Sequence, residues 1–151
     1  MITHGLFVIV TVGSGMVAGV LFAVAISTVP ALRAMPPDRY VEASRLLGQR
    51  WDPIMPLIVV ISTLAGAGLA ITAPTVPTHI AFGVSAAMLL AVSGVSHLAN
   101  VPINRRVKGL DAQSIPADWD DPRPVWTRWH LLRTGLSIAA FVLTSVAVSV
   151  I

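Results

Sequence analysis

Apolar residues fall in four blocks, at about residues 6–29, 54–73, 79–98 and 129–151, separated by polar segments of unequal length. Each block is close to the ~20 residues a helix needs to cross the hydrocarbon core of a bilayer. The pattern predicts an all-α fold: a four-transmembrane-helix bundle forming a single membrane domain over residues 1–151. The connection Pro74-Thr75-Val76-Pro77-Thr78 is so short that spans two and three must be antiparallel neighbours. Between spans one and two, Asp38 can cap a short amphipathic helix. Tyr40, Ala43 and Leu47 share one face with Leu46 at its edge, and Arg39, Glu42, Arg45 and Gln49 take the other. That pattern suits the membrane surface.

Local signals refine these elements. Pro30 is expected to end span one. Pro102 cannot donate to the Leu98 carbonyl and biases Val101 away from helix, so a helix end or kink is expected there. Span two is entered through Trp51-Asp52-Pro53 and Met55-Pro56, with prolines in the first turn, Trp51 at the interface and Asp52 as cap. Gly15 and Gly19 share one helix face and invite close approach of a neighbour, either within the chain or in a homo-oligomer built through this glycine-rich span. Gly66 and Gly68 also mark close packing. No internal repeat is read from the sequence.

Composition narrows the function classes. Hydrophobic residues make up 55% of the chain and charged residues 11%, against roughly 25% charged in soluble domains, which leaves no room for a sizeable soluble domain. The net charge of +3 does not argue for nucleic acid, because every Lys and Arg sits in or beside two of the loops. The absence of cysteine excludes disulfides, thiolate nucleophiles and cysteine-held metals. Ala23-Val24-Ala25 resembles a signal cleavage site, but no basic residue precedes it and the apolar run is long, so the first block reads as a retained span. Arg33, Arg39, Arg45 and Arg50 lie in the first long loop. Arg105, Arg106, Lys108, Arg123, Arg128 and Arg133 lie in or beside the second, and the short loop and termini carry none. The positive-inside rule then places the chain in the cytoplasmic membrane with the two long loops in the cytoplasm and both termini outside.

The candidate chemistry lies in a polar seam from His97 to Arg133. Trp126, Trp129, His130 and Arg133 follow at i, i+3, i+4 and i+7 and share one face if helical. The tryptophans read as interfacial anchors or as walls for a ligand, and Arg133 as a positive-inside anchor or an anion clamp. His130 draws attention because a free imidazole titrates near neutrality and suits proton transfer. His97, Asn100 and Asn104 follow at i, i+3 and i+7. The carboxamides either satisfy carbonyls freed by the helix break or hydrogen-bond a polar ligand between the helices. Glu42, the only glutamate, is either a solvated partner of Arg39 or Arg45 or an inward-turned base or metal ligand. No His-x-x-x-His or Glu-x-x-His pair occurs; a copper or iron ion, if bound, would take His97, His130 and Glu42. His4 and His79 belong to the opposite side. There is no phosphate loop, dinucleotide fingerprint or Ser-His-Asp order. With no charge near mid-membrane, a transport pathway is not indicated.

Several of these segments, taken together, resemble the anthrone oxygenase family. They are Phe22-Ala23 before Val29-Pro30-Ala31-Leu32; Asn100-Val101-Pro102-Ile103-Asn104; Pro116-Ala117-Asp118-Trp119; and Trp126, His130 and Arg133. The resemblance covers nearly the whole chain, and the Asn-x-Pro-x-Asn and Trp-x-x-x-His-x-x-Arg pair carries most of it. It implies a membrane monooxygenase that oxidises a polyketide-derived anthrone to a quinone with dioxygen, in a family some of whose members look as if they need no flavin or haem; no cofactor is expected beyond dioxygen as co-substrate. His130 or His97 would then be the base. Arg133, Arg105, Asn100 and Asn104 would hold the oxyanion, and Trp126 and Trp129 would wall a hydrophobic aromatic substrate. Two other readings stay open: a metal-dependent oxidase of the same fold, and a non-enzymatic scaffold or lipid-binding bundle.

Overall fold

The computed structural model describes residues 2–47, 49, 51–116 and 118–151, with only the backbone described for residues 2 and 51–53. Arg50 and Ala117 therefore lie outside the described residues. So do the side chains of Trp51 and Asp52, on which the interfacial and capping expectations rest.

The chain is all-helical among the described residues. Helix α1 (Ile2–Ala23) passes through a π-helical turn (Val24–Thr28) into α2 (Val29–Ala34) without a break. After α3 (Pro37–Leu46) and α4 (Trp51–Thr72), α5 (Val76–Val95) passes through a second π-turn (Ser96–Asn100) into α6 (Val101–Lys108). The chain closes with α7 (Arg123–Ser149). Four helical stretches are long and apolar enough to cross a membrane: Thr3–Ala34, Ile54–Thr72, Val76–Lys108 and Arg123–Ser149.

Two expectations about proline are corrected. Pro30 does not end span one, and Pro102 does not end span three. In each span the π-turn closes on the residue before the proline, with Val29 N–H bonded to the Val24 carbonyl and Val101 N–H to the Ser96 carbonyl. The proline then occupies the first turn of the next helix, where a missing N–H costs little. Span one stops instead at Met35, which is extended before Pro36 (ψ 145°).

The π-turns also expose a duplication that the residue pattern hides. They lie 72 positions apart (24–28 and 96–100), each followed by Val-Pro-x-x-Arg, and α4 and α7 start at the same spacing (51 and 123). The same order of long helix, π-turn, short helix and long helix thus recurs at a 72-residue spacing. The four long helices form a ring in which α1 and α5 each pack on both α4 and α7, so equivalent helices stand diagonally opposed.

Three apolar clusters stack along the bundle. Val10, Leu69, Phe82 and Ala147 fill the end that carries the termini. Val17, Leu21, Val59 and Val92 fill the middle. Tyr40, Val41, Val107 and Ala112 form the third, where α3 and the second long loop pack together as a cap. Tyr40 and Val41 of α3 are thus buried against protein, whereas Leu46 is 75% exposed. The short connection starts α5 with a Thr75–Thr78 capping box.

Of the two glycines expected to allow close approach, only Gly15 does so. A Cβ on Gly19 would meet nothing within 4 Å, and one on Gly15 would lie 3.1 Å from the Phe141 ring. At Gly13 it would fall 2.0 Å from Ser62 Oγ, so α1 and α4 approach closely there and a side chain would displace the Ser62 hydroxyl.

Candidate active site

Between the middle cluster and the cap lies a cavity of about 490 Å³, inside the size range of small-molecule sites. Val17, Leu21, Val59 and Val92 floor it with hydrocarbon. Tyr40, Ser44 and Leu47 reach it from the cap side, and the polar seam supplies most of the rest.

Helix α7 begins at Arg123, six residues before the expected start of span four, so Trp126, His130 and Arg133 do share a helical face on the cavity. The Trp126 and His130 rings stack at 5.0 Å between centroids with 2° between their planes. Trp129 is not on the cavity wall; it is 41% exposed on the outside of the bundle.

His130 is fully buried, and both its ring nitrogens are engaged. Nε2 donates to the Leu21 carbonyl of span one at 3.1 Å. That fixes the neutral tautomer, leaving Nδ1 as acceptor for the Arg133 guanidinium (Nε at 3.3 Å, Nη2 at 3.0 Å). Arg133 Nη1 donates in turn to Ser96 Oγ at 3.0 Å, and Ser96 donates to the Val92 carbonyl at 2.7 Å. One chain of hydrogen bonds therefore joins spans one, four and three across the cavity wall. Ser96 and the Leu21 carbonyl were missed in the sequence, because a backbone acceptor has no residue signature.

His97 is placed differently. It lines the cavity from an exposed flank of the second π-turn, and Nδ1 donates to the Ser93 carbonyl one turn back at 2.9 Å. That leaves Nε2 as a lone-pair acceptor toward its surroundings. Asn100, fully buried in the same π-turn, donates from Nδ2 to the Trp126 carbonyl at 3.1 Å. Its Oδ1 has no hydrogen-bond partner, nor does the buried Trp126 Nε1. Asn104 and the adjacent Arg105 line the cavity about one turn further on.

Glu42 is not brought to this site. It pairs with Arg39 at 3.0 Å on the outer face of α3, so the conditional set His97, His130 and Glu42 does not converge. Among the described residues no three His, Asp or Glu side chains gather as a metal site. His4 and His79 stay at the opposite end, with His4 edge-on to Phe7 and His79 Nδ1 2.8 Å from the Ala70 carbonyl.

The cap is pinned by Arg123, which the sequence suggested only as a topological charge. Its Nη1 donates to the Leu32 and Met35 carbonyls at 2.9 and 2.6 Å, capping the end of span one. The guanidinium sits 5.0 Å from the Tyr40 ring centroid and pairs with Asp121 at 2.7 Å. Burial opposes ionisation of Asp121. The hydrogen bonds from the Arg123 side chain and backbone, with the charges of Arg123 and Arg33, outweigh it and hold the carboxyl below its ordinary value. Burial pushes the Tyr40 phenol up, against the opposing effects of the Ser44 hydrogen bond and the Arg123 charge.

The site thus combines an apolar floor, a stacked Trp–His pair, a positioned guanidinium and carboxamides within a four-helix membrane bundle. A comparison with family models finds the anthrone oxygenase model over residues 45–143, a stretch that contains the whole polar seam. The chain belongs to the anthrone oxygenase family. No curated protein and no solved structure matches it. Membership in the anthrone oxygenase family assigns the bundle an oxygenase-like, membrane-associated character, and the matched stretch spans α4, α5, both halves of span three and most of α7. The matched stretch of this anthrone oxygenase family member holds the polar side of the cavity, whereas the span-one wall from Val17 to Leu32, with Tyr40 and Ser44, lies before it.

Proposed function

We propose that the cavity is the active site of a membrane monooxygenase that converts a flat, anthrone-type aromatic ketone and dioxygen into the quinone and water. The observation that carries this reading is the pairing of a hydrocarbon floor with a guanidinium held in place by His130 and Ser96. The floor accepts fused rings, and the Arg133 guanidinium can hold an enolate-type oxygen.

The chemistry asks little else of the protein. The anthrone methylene is acidic because loss of its proton yields an anion spread over the rings and the ketone oxygen. The C–H bond that breaks must stand perpendicular to the ring plane, so the base approaches a face of the substrate while its oxygen lies at an edge. His97 is assigned as that base, because its Nε2 lone pair is uncommitted whereas both nitrogens of His130 are bonded within the protein. The anion passes one electron to dioxygen, and the resulting radical pair combines to a hydroperoxide at the former methylene carbon. Loss of the second C–H proton with O–O cleavage then releases water and leaves the second carbonyl. One anthrone and one dioxygen give one quinone and one water, and the substrate anion is itself the reductant. No resident cofactor is therefore proposed. The side assignment belongs to the same proposal: the basic loops and the cavity lie toward the cytoplasm.

The test is dioxygen consumption by detergent-purified protein with a hydroxyanthrone, alongside elemental analysis. Stoichiometric water and quinone without bound metal are expected. His97→Ala is expected to lower kcat by about 10²–10⁴-fold at unchanged thermal stability. Full turnover by His97→Ala removes its assignment as base, and a stoichiometric copper or iron replaces the cofactor-free scheme.

A further inference from the structure

Spans one and three stand at diagonal corners of the bundle and face each other across the cavity. The 72-residue duplication puts matched positions on both walls. Val20 and Val92 are the same residue in each. Beyond them the walls diverge: Leu21 is matched by Ser93, Val24 by Ser96, Thr28 by Asn100 and Leu32 by Asn104. The backbone is alike on both sides, π-turn and Val-Pro included. One wall is hydrocarbon apart from a single hydroxyl, and the other carries two hydroxyls and two carboxamides, with His97, Arg105 and Lys108 beside them.

A polar ladder inside a membrane bundle is costly unless its groups are bonded. The protein satisfies only part of this one. Ser96 is bonded to Val92 and Arg133, and Asn100 spends its amide on the Trp126 carbonyl. Asn100 Oδ1 and Trp126 Nε1, an acceptor and a donor on two residues that line the cavity, have no partner in the protein, but both atoms are closed off from the free space. The ladder continues one turn on at Asn104, so a ligand that brings a hydroxyl and a neighbouring carbonyl or phenol oxygen to this side meets polar side chains, and one that brings hydrocarbon does not.

We infer that span three is the recognition wall of the site. It binds the one edge of a fused aromatic ligand that carries its oxygens, while the bare edge packs on span one. This rests on the cavity being the substrate site proposed above and adds the orientation and the specificity residues, with Asn100 and Asn104 foremost. A ligand with oxygens on both edges loses partners at span one, at a cost of roughly tenfold in affinity for each unmet hydrogen bond.

The test is equilibrium binding without dioxygen, by ligand fluorescence, to the whole protein in lipid nanodiscs. Two isomeric dihydroxyanthrones serve as probes, one with both hydroxyls flanking the ketone and one with a hydroxyl on each edge. The first is expected to bind roughly tenfold or more tighter. Asn104→Leu, alone and with Asn100→Leu, is expected to erase that preference. Leu32→Asn, the matched change on the opposite wall, is expected to narrow it by improving the second isomer. Leu32→Asn and Asn104→Leu keep the test decisive if the Asn100 variant does not fold. Equal affinities for the isomers, a preference that survives Asn104→Leu with Asn100→Leu, or no binding of either isomer overturns the inference. Edge-selective binding without later dioxygen uptake keeps this inference and sinks the oxygenase reading; turnover without isomer preference does the reverse.

Discussion

A neutral imidazole has one donor and one acceptor, and at His130 the protein uses both. Its position in the Trp-x-x-x-His-x-x-Arg motif made it the foremost candidate base, but its partners turn it into the group that holds Arg133. His130→Ala takes away the acceptor on which Arg133 Nε and Nη2 rest and removes a bond between spans one and four. We expect a stability loss of about 1–3 kcal/mol and a rise in KM larger than the fall in kcat, read from thermal melts and steady-state kinetics. A kcat collapse at unchanged stability would make His130 the base after all. The Asp121–Arg123 pair gives a pH prediction. The folded carboxyl lies below its ordinary value of 3.8. Its contribution to stability is therefore complete above that value and is lost as pH falls through the lowered folded value. Melts of wild type and Asp121→Asn should differ at neutral pH and converge below about pH 4. The gap should be small, because the carboxylate is 38% exposed.

At the scale of elements, the π-turns explain why the proline signals misled. A proline denies a bond to the carbonyl four residues back, and in a regular helix that forces an end or a kink. One wider turn places the proline at the start of a fresh helix segment, and span three continues to Lys108, carrying Asn104 and Arg105 onto the cavity wall. The same wide turn holds His97 and Asn100, so the residues expected at a helix terminus stand inside a span. Helix packing yields its own prediction. Gly13→Ala pushes a methyl against Ser62 and should cost about 1–3 kcal/mol. Adding Ser62→Ala should recover part of it, because the Ser62 Cβ contact at 3.2 Å remains. Gly19→Ala should be neutral. Thermal melts in one detergent separate the three variants, and an equal loss at Gly13 and Gly19 would contradict the packing.

At the scale of the molecule, the cap and the duplication make the site. The recurring helix order leaves a gap between equivalent helices, and the two long loops fold together to close it. Arg123 reaches from the head of α7 to the tail of α2 and ties that closure. The sidedness is testable because the chain has no cysteine. A single cysteine at Gln113 in the second long loop should react with a membrane-impermeant thiol reagent only after the cells are opened. One at Pro74, in the short loop, should react from outside. The reverse result would invert the topology and put the cavity on the outer side.

The linear chain by itself determined the class, the number of spans, their alternating direction and the family. These rest on hydrophobic length, loop length and short motifs, which need no knowledge of neighbours. It also named most of the cavity residues, because i, i+3, i+4 and i+7 spacing puts side chains on one face wherever the helix is packed. It could not say which way that face was turned, so Trp129 was grouped with Trp126 although it faces outward. Nor could it separate the two histidines, since a tautomer is set by partners from other spans. The duplication was invisible because its halves share a backbone path and a Val-Pro-x-x-Arg but little else. Only the tertiary structure set the two walls against each other, because polarity across a cavity belongs to pairs of positions 72 residues apart.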